Sequence, residues 1–360
     1  MEENIVLDQV MPEEMQENVP DKAGFLAELK KAAAKVGWKY ALFAVATIVF
    51  QMIYAAVLPE KYYSESWATF LQIIIPMHIL GFGLLLLLTA KMPKVKIEKK
   101  KLGFGKFIIC VFIGAGICFV GMIIGLVLHL ALTLPFGVGM NDSSALGNIM
   151  MSSDAFWRIF TVGIMAPIVE ELIFRKLLID RVAKYGEFVA IMLSGLMFGI
   201  FHGNFQQVFF AAGLGMFWAF IYLRTGKVWY TIAMHMTINL STSVVTVYLA
   251  QWVMKYAEYS LDPNYTTYLM EGRPEAVMTA VSSFALLAWY GVLILFAVTG
   301  IILFIVNRKK FKLNPVPCGA TKKEVFRKGA FNWGVILFWI AGGSLFVISY
   351  GSIILNAVMS

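Results

Sequence analysis

Two adjacent glutamates and an arginine stand out because they lie inside an apolar stretch of the chain. Glu170 and Glu171 occur together there, and Arg175 follows the second glutamate by four residues. A charged side chain in the middle of a membrane costs roughly 2.5–3.5 kcal/mol on insertion scales. Since the chain keeps nearly all its other charges out of apolar stretches, these residues are the first candidates for a functional site.

Helical geometry separates the two glutamates. Glu171 and Arg175 share one helix face, in the order that favours an ion pair, whereas Glu170 is rotated by about 100° from Glu171. The spacing predicts a supporting Glu171–Arg175 pair and a separate Glu170 carboxylate that faces a polar cavity. The plainer alternative is that both glutamates only hold helices together, although a neutral amide would do so at lower cost.

Two histidines and an asparagine on other apolar stretches could complete a site. His202 follows Phe198 by four residues, and Asn239 follows His235 by four, so each pair lies on one helical face. At 1.5 Å per residue, these side chains lie roughly 10–20 Å from the same end of their helices, which allows them to meet. A carboxylate, two imidazoles and an amide are the parts of a site that activates water for hydrolysis.

The remaining candidates have structural interpretations. His78 and His129 stand alone in their stretches and are expected to pack or hydrogen-bond in the core. The three cysteines have no ligand spacing, so neither a disulfide framework nor a structural zinc site is indicated. The motifs Gly121-x-x-x-Gly125 and Gly195-x-x-x-Gly199 are typical of closely packed helices.

The composition indicates which elements position these residues. Of 360 residues, 59% are apolar and 14% are charged, and the mean hydropathy is +0.75. An average soluble domain has roughly a quarter of its residues charged. The composition therefore excludes a disordered protein, a secreted disulfide scaffold and an ordinary cytosolic enzyme, and predicts an all-α, polytopic transmembrane helical bundle.

Apolar runs long enough for membrane spans of about 20 residues occur nine times. They cover 40–58, 67–90, 107–134, 157–179, 188–202, 207–223, 228–252, 280–306 and 333–357. The runs 188–202 and 207–223 are short and joined by a polar link. They predict either two spans or a partly re-entrant unit, which would reduce the count to eight.

The charges predict the orientation. The first 21 residues hold seven acids, and all 30 Lys and Arg follow them, mostly in alternate loops. By the positive-inside rule the N-terminus is cytoplasmic and the C-terminus lies outside. The bases therefore indicate membrane orientation and contact with lipid rather than with nucleic acid. Four regions follow: an acidic, disordered tail with a basic flank (1–38), N-terminal spans (39–135), core spans with the motifs (157–252) and C-terminal spans (280–360).

The motifs resemble those of a known family. Glu170-Glu171-x-x-x-Arg175, Phe198-x-x-x-His202 and His235-x-x-x-Asn239 match, in order, the three motifs of the CPBP family of intramembrane proteases, which includes the type II CAAX-prenyl endopeptidases and bacteriocin-processing or immunity-type relatives. The resemblance implies hydrolysis of a peptide bond in a hydrophobic or lipidated peptide. It implies that Glu170 and His202 activate water, that His235 and Asn239 bind the oxyanion, and that Glu171, Arg175 and Phe198 support the site.

Metal use and the function class stay open at this point. Glu170, His202 and His235 could hold a divalent metal such as zinc, but the chain has no HExxH motif, and a metal-free glutamate mechanism fits the residues as well. The alternatives to a protease are a non-catalytic immunity or regulatory protein that binds a peptide or a membrane sensor, and a proton-relaying transporter. Short loops without a targeting signal favour a bacterial cell membrane.

Overall fold

The computed structural model describes residues 21–138 and 150–359, and the regular structure within these ranges is helical. The long helices are α1 (Lys22–Val57), α2 (Ser66–Thr89), α3 (Phe104–Phe136), α4 (155–182), α5 (Glu187–Phe201), α6 (Phe205–Thr225), α7 (Val228–Ser260), α9 (Pro274–Lys310) and α11 (Trp333–Met359). Two shorter helices are α8 (Tyr265–Met270) and α10 (Lys322–Ala330). The predicted all-α, polytopic class is confirmed.

The nine predicted runs all lie in helices. Seven helices of the described residues are long and apolar enough to cross a membrane: α1, α2, α3, α6, α7, α9 and α11. Helix α5 is apolar but has only 15 residues, and α4 carries the charged motif. The count of nine crossings therefore stays a prediction.

Helices α5 and α6 form a hairpin whose tip lies inside the bundle. The 15 residues of α5 extend roughly 22 Å, which is less than the thickness of a hydrocarbon core. At the tip, Gly203 has φ +67°, a conformation that favours glycine, and an added Cβ there would lie 2.7 Å from Leu345 Cβ, midway along α11. Helix α5 is thus too short to cross the hydrocarbon core, as expected for a unit that enters the bundle without reaching its opposite end.

The basic loops gather at one end of the bundle, which we call the basic end. The amide of Val95 donates to Asp180 O (2.7 Å), and that of Lys100 donates to Thr225 O (2.9 Å). Arg224 binds Glu187 and donates to Lys312 O (2.7 Å). The basic loops, which alternate along the sequence with loops that hold few bases, therefore lie together at the basic end. That this end faces the cytoplasm stays a prediction.

Helix α1 begins earlier than the first predicted span. Asp21 Oδ1 accepts from the amide of Gly24 (2.6 Å) and caps the helix, which then runs from Lys22 without interruption. The basic flank of the predicted 1–38 region is therefore the first part of α1, because the N-cap starts the helix there. Residues 1–20 of the predicted tail lie outside the described residues.

Two glycine motifs bring α6 against its neighbours. Gly121 and Gly125 of α3 face the backbone of Phe205–Phe210 in α6, and Gly195 and Gly199 of α5 face the opposite side of α6. An added Cβ at Gly199 would lie 2.7 Å from Val208 O. The predicted packing role of both motifs is confirmed, since the helix backbones approach within distances that only glycine permits.

This packing yields a stability prediction. We expect Gly199→Ala to destabilise the protein by about 1–3 kcal/mol, because the new methyl group must displace backbone atoms of α6. The measurement is thermal unfolding in detergent, with Gly291→Ala in α9 as the control, since no atom lies within 4 Å of a Cβ built there. Equal melting temperatures for the two variants would contradict the close packing.

Candidate active site

Helix α4 carries the two glutamates on a short α-helical segment between two π-helical segments. The α-helical segment is Ala166–Glu171, and the π-helical segments are Ile159–Met165 and Leu172–Leu177. Pro167, which lacks an N–H group, lies at the junction with the first π segment. Such irregular turns occur often at functional sites, and here they flank the predicted one.

The buried ion pair Glu171–Arg175 lies at the centre of the site. Arg175 Nη2 donates to Glu171 Oε1 (2.9 Å), and both side chains are fully buried. The guanidinium also lies over the ring of Phe198, at 4.5 Å, and near that of Trp218, at 5.6 Å. The pair predicted from the four-residue spacing is therefore present, and aromatic faces from α5 and α6 supply further contacts for the cation.

His235 connects the two glutamates. Its Nδ1 lies 3.1 Å from Glu171 Oε1, and its Nε2 lies 3.8 Å from Glu170 Oε2. Because an ionised carboxylate only accepts hydrogen bonds, Nδ1 carries a proton and donates it to Glu171, while Nε2 faces Glu170. The ring of Trp218 packs against the imidazole with centroids 4.6 Å apart and fixes its orientation.

Glu170 differs from its neighbour in exposure and in partners. Its side chain is 14% exposed, whereas those of Glu171 and Arg175 are 0% exposed. Within the described ranges, no Lys or Arg nitrogen lies within 4.0 Å of its carboxylate. The division of the two glutamates into a paired and a free carboxylate, predicted from helical geometry, is thus present in the structure.

His202 and Asn239 lie at the edges of the site. His202 Nδ1 donates to Phe198 O (2.8 Å), and its ring meets that of Phe198 edge-on. Phe198 also contacts His235, with centroids 5.8 Å apart, so the two imidazoles flank one phenyl ring. Asn239 Nδ2 donates to Val162 O (3.0 Å) in α4, which leaves its second N–H free of that bond.

The side chains around Glu170 include atoms that could bind a metal ion. Across residues 21–138 and 150–359, no group of three His, Cys, Asp or Glu side chains is arranged to hold a metal ion. The side chains of Glu170, His202 and His235 therefore do not form a ready ligand set in this geometry. The zinc alternative stays a prediction.

The comparisons with known proteins agree with the motifs. Residues 152–241 match the family model described as type II CAAX prenyl endopeptidase Rce1-like. The chain is also 30% identical over 105 residues to "Putative membrane peptidase YdiL" of Bacillus subtilis (strain 168), a match that covers 29% of this chain and 43% of that protein. No solved structure matches the chain.

These findings define the class of the motif segment. The resemblance to the CPBP family, predicted from three motifs, is confirmed by the family model and by the relative. The chain spans less than half the length of the curated relative. What the whole protein does is therefore a proposal.

Sequence reasoning did not find two residues of the site. Trp218 contacts both Arg175 and His235, and Ser194 donates to Phe174 O (2.8 Å) beside the ion pair. Both lie among ordinary apolar residues of α5 and α6. The one available signal concerned Ser194, which directly precedes the Gly195-x-x-x-Gly199 motif of α5, whereas neither glycine motif lies in α6, the helix of Trp218.

Removal of the buried cation should reveal its structural role. We expect Arg175→Ala to lose about 3–5 kcal/mol of stability, because Glu171 would remain buried without its partner. The measurement is the melting temperature of purified protein. The control is Lys184→Ala, which removes an exposed pair with Glu28 and should melt close to wild type. A stable, fully active Arg175→Ala would refute the supporting role.

Proposed function

We propose that this multi-pass membrane protein is an intramembrane endopeptidase, which hydrolyses a peptide bond of a hydrophobic or lipidated peptide. The observation that carries the proposal is the division of two adjacent carboxylates. Glu171 is buried with Arg175 and His235, while Glu170 is partly exposed, has no Lys or Arg partner among the described residues and faces Nε2 of His235. The family match of residues 152–241 supports the same reaction class.

The gap between Glu170 and His235 suits the attacking water. Glu170 Oε2 and His235 Nε2 are 3.8 Å apart, and one water molecule can lie about 2.8 Å from both. In the proposed mechanism the His235 ring is neutral, so both atoms accept hydrogen bonds. Each then takes one hydrogen of the water, whose lone pairs are directed at the substrate. His235 therefore orients the water in this proposal, held in its tautomer by Glu171.

In the next step, the Glu170 carboxylate transfers the proton. Glu170 takes a proton from the water as general base, and the resulting hydroxide attacks the carbonyl carbon of the peptide bond. The tetrahedral intermediate carries a negative oxygen. When its C–N bond breaks, Glu170 returns the proton to the leaving nitrogen, so that the products are a carboxyl group and an amine.

Asn239 and His202 have the remaining roles. Asn239 has one amide hydrogen left beside its bond to Val162, and we propose that this hydrogen stabilises the oxyanion, a contribution of a few kcal/mol in other enzymes. His202 Nδ1 donates to Phe198 O, so its Nε2 can accept a hydrogen bond from a substrate N–H. The role as oxyanion donor that the resemblance implies for His235 would need a second proton on its ring.

Loss of the free carboxylate tests the proposal. We expect Glu170→Ala to cleave peptides about 10²–10⁴-fold more slowly than wild type, since it lacks the general base, and to keep the wild-type melting temperature. The assay uses a panel of fluorogenic hydrophobic peptides and a farnesylated CAAX peptide in proteoliposomes. The control is Glu271→Ala, which removes an exposed carboxylate outside the site.

Two results would contradict the proposal. If wild type and Glu170→Ala cleave equally, Glu170 is not the base; if no peptide is cleaved by wild type, the binding protein of the immunity or regulatory type is favoured. A chelator arm in the same assay tests the metal-free mechanism, which predicts unchanged rates.

A further inference from the structure

Three buried polar side chains, one each on α1, α2 and α4, lie outside the motif residues. His78 of α2 is 4% exposed, and neither of its ring nitrogens has a hydrogen-bond partner within the described part of the chain. The hydroxyls of Thr47 in α1 and Thr161 in α4 are buried and equally without a described partner. Buried polar groups are normally hydrogen-bonded, and where protein supplies no partner, an internal water usually does.

Two hydrogen bonds fix the register between α2 and α4. At their N-terminal ends, the amide of Asp154 donates to Ser66 Oγ (3.1 Å). At their C-terminal ends, Arg181 Nη2 donates to Thr89 O (2.6 Å). The two helices therefore run in the same direction, side by side, and a position in one can be placed against a position in the other.

This register places His78 at the depth of the active site. His78 lies midway between the two bonded positions of α2, and Glu170 lies within one turn of the midpoint of α4. Thr47 lies at a similar depth, because an added Cβ at Gly81 in α2 would be 2.6 Å from Thr47 Oγ1. His78 and Thr47 thus lie at a depth similar to that of Glu170, where the proposed hydrolysis needs water.

A cavity opens at the end of the bundle opposite the basic end. It has a volume of about 240 Å³ and is lined by Ala55, Leu58, Tyr63, Thr69 and Gln72, at the adjoining ends of α1 and α2. Its volume exceeds the roughly 30 Å³ that one water occupies in the liquid. Along α1 and α2, the lining residues lie between the far end and the buried polar residues, so the cavity lies on the far-end side of Thr47 and His78.

The backbone of α2 gives an independent indication. The structure describes four π-helical segments, and three of them lie in the motif-bearing helices α4 and α7 (Ile159–Met165, Leu172–Leu177, Leu240–Val245). The fourth, Ile74–Gly81, contains His78 and has no motif residue. Since π-helical turns occur often at functional sites, this segment shares a backbone feature with the helices that carry the candidate site.

We propose that Thr47, His78 and Thr161 line a water-filled passage, which leads from the far-end cavity between α1, α2 and α4 to the depth of Glu170. The passage would deliver water to the site, a role that rests on the proposed function. Each hydrolysed peptide bond consumes one water molecule, and the surrounding lipid supplies none. Unpartnered imidazole and hydroxyl groups bind water by donating and accepting hydrogen bonds, which explains why polar side chains are buried here.

Cysteine labelling tests the passage without requiring activity. The native cysteines Cys110, Cys118 and Cys318 are first replaced by alanine in the full-length protein. Thr47→Cys and Thr161→Cys, both close in size to the native residue, are then exposed in proteoliposomes to a trimethylammonium methanethiosulfonate reagent, which reacts with a thiolate in water. The control is Ala41→Cys, because Ala41 is 6% exposed and packs in the apolar core on another face of α1.

We expect the cysteines at 47 and 161 to react at least about tenfold faster than the cysteine at 41, because thiolates form in water and not in a packed apolar interior. Once modified, Thr47→Cys should hydrolyse peptide more slowly, whereas reagent-treated Ala41→Cys should not change. Labelling at the control rate in both threonine variants would overturn the proposal. If either variant fails to fold by gel filtration, the other decides, and fast labelling without hydrolysis would contradict the proposed function alone.

Discussion

The fold of the motif region depends on a cation and an anion that are buried together. Arg175 and Glu171 are both fully inaccessible to solvent, and such charges are tolerated only when each has its partner. The pair also organises its surroundings. Arg175 touches Phe198 of α5 and Trp218 of α6, and Glu171 binds His235 of α7. One ion pair thereby fixes four helices relative to one another.

The same pair determines what the neighbouring carboxylate can do. Glu171 neutralises Arg175 and holds the proton of His235 on Nδ1, so neither group competes for Glu170. Glu170 is left partly exposed, with His235 Nε2 at 3.8 Å from its carboxylate. Two glutamates that are adjacent in sequence thus have different environments, because a helix turns them to different sides. The proposed chemistry depends on this difference rather than on either residue alone.

Much of this arrangement could be predicted from the sequence, because it follows from periodicity and from the cost of burying charge. The helical runs, the Glu171–Arg175 pair and the two glycine motifs are local patterns of this kind. What could not be predicted arises from tertiary contacts. The way in which α4, α6 and α7 meet determines three features of the site. These are the position of His235 between both glutamates, the bond of Asn239 to Val162 and the packing of Trp218. His78 was expected to have an ordinary core role, but its imidazole is buried without a partner in the described chain.

The central claim is that the two carboxylates have separate roles, and one paired measurement tests it most directly. Glu170→Gln and Glu171→Gln are purified in parallel, and the melting temperature and the rate of peptide hydrolysis are measured for each. The account predicts that Glu170→Gln melts like wild type and has lost hydrolysis, whereas Glu171→Gln has a lowered melting temperature because Arg175 is left buried without a counter-charge. A Glu170→Gln protein with wild-type hydrolysis, or a Glu171→Gln protein with wild-type stability, would contradict the claim.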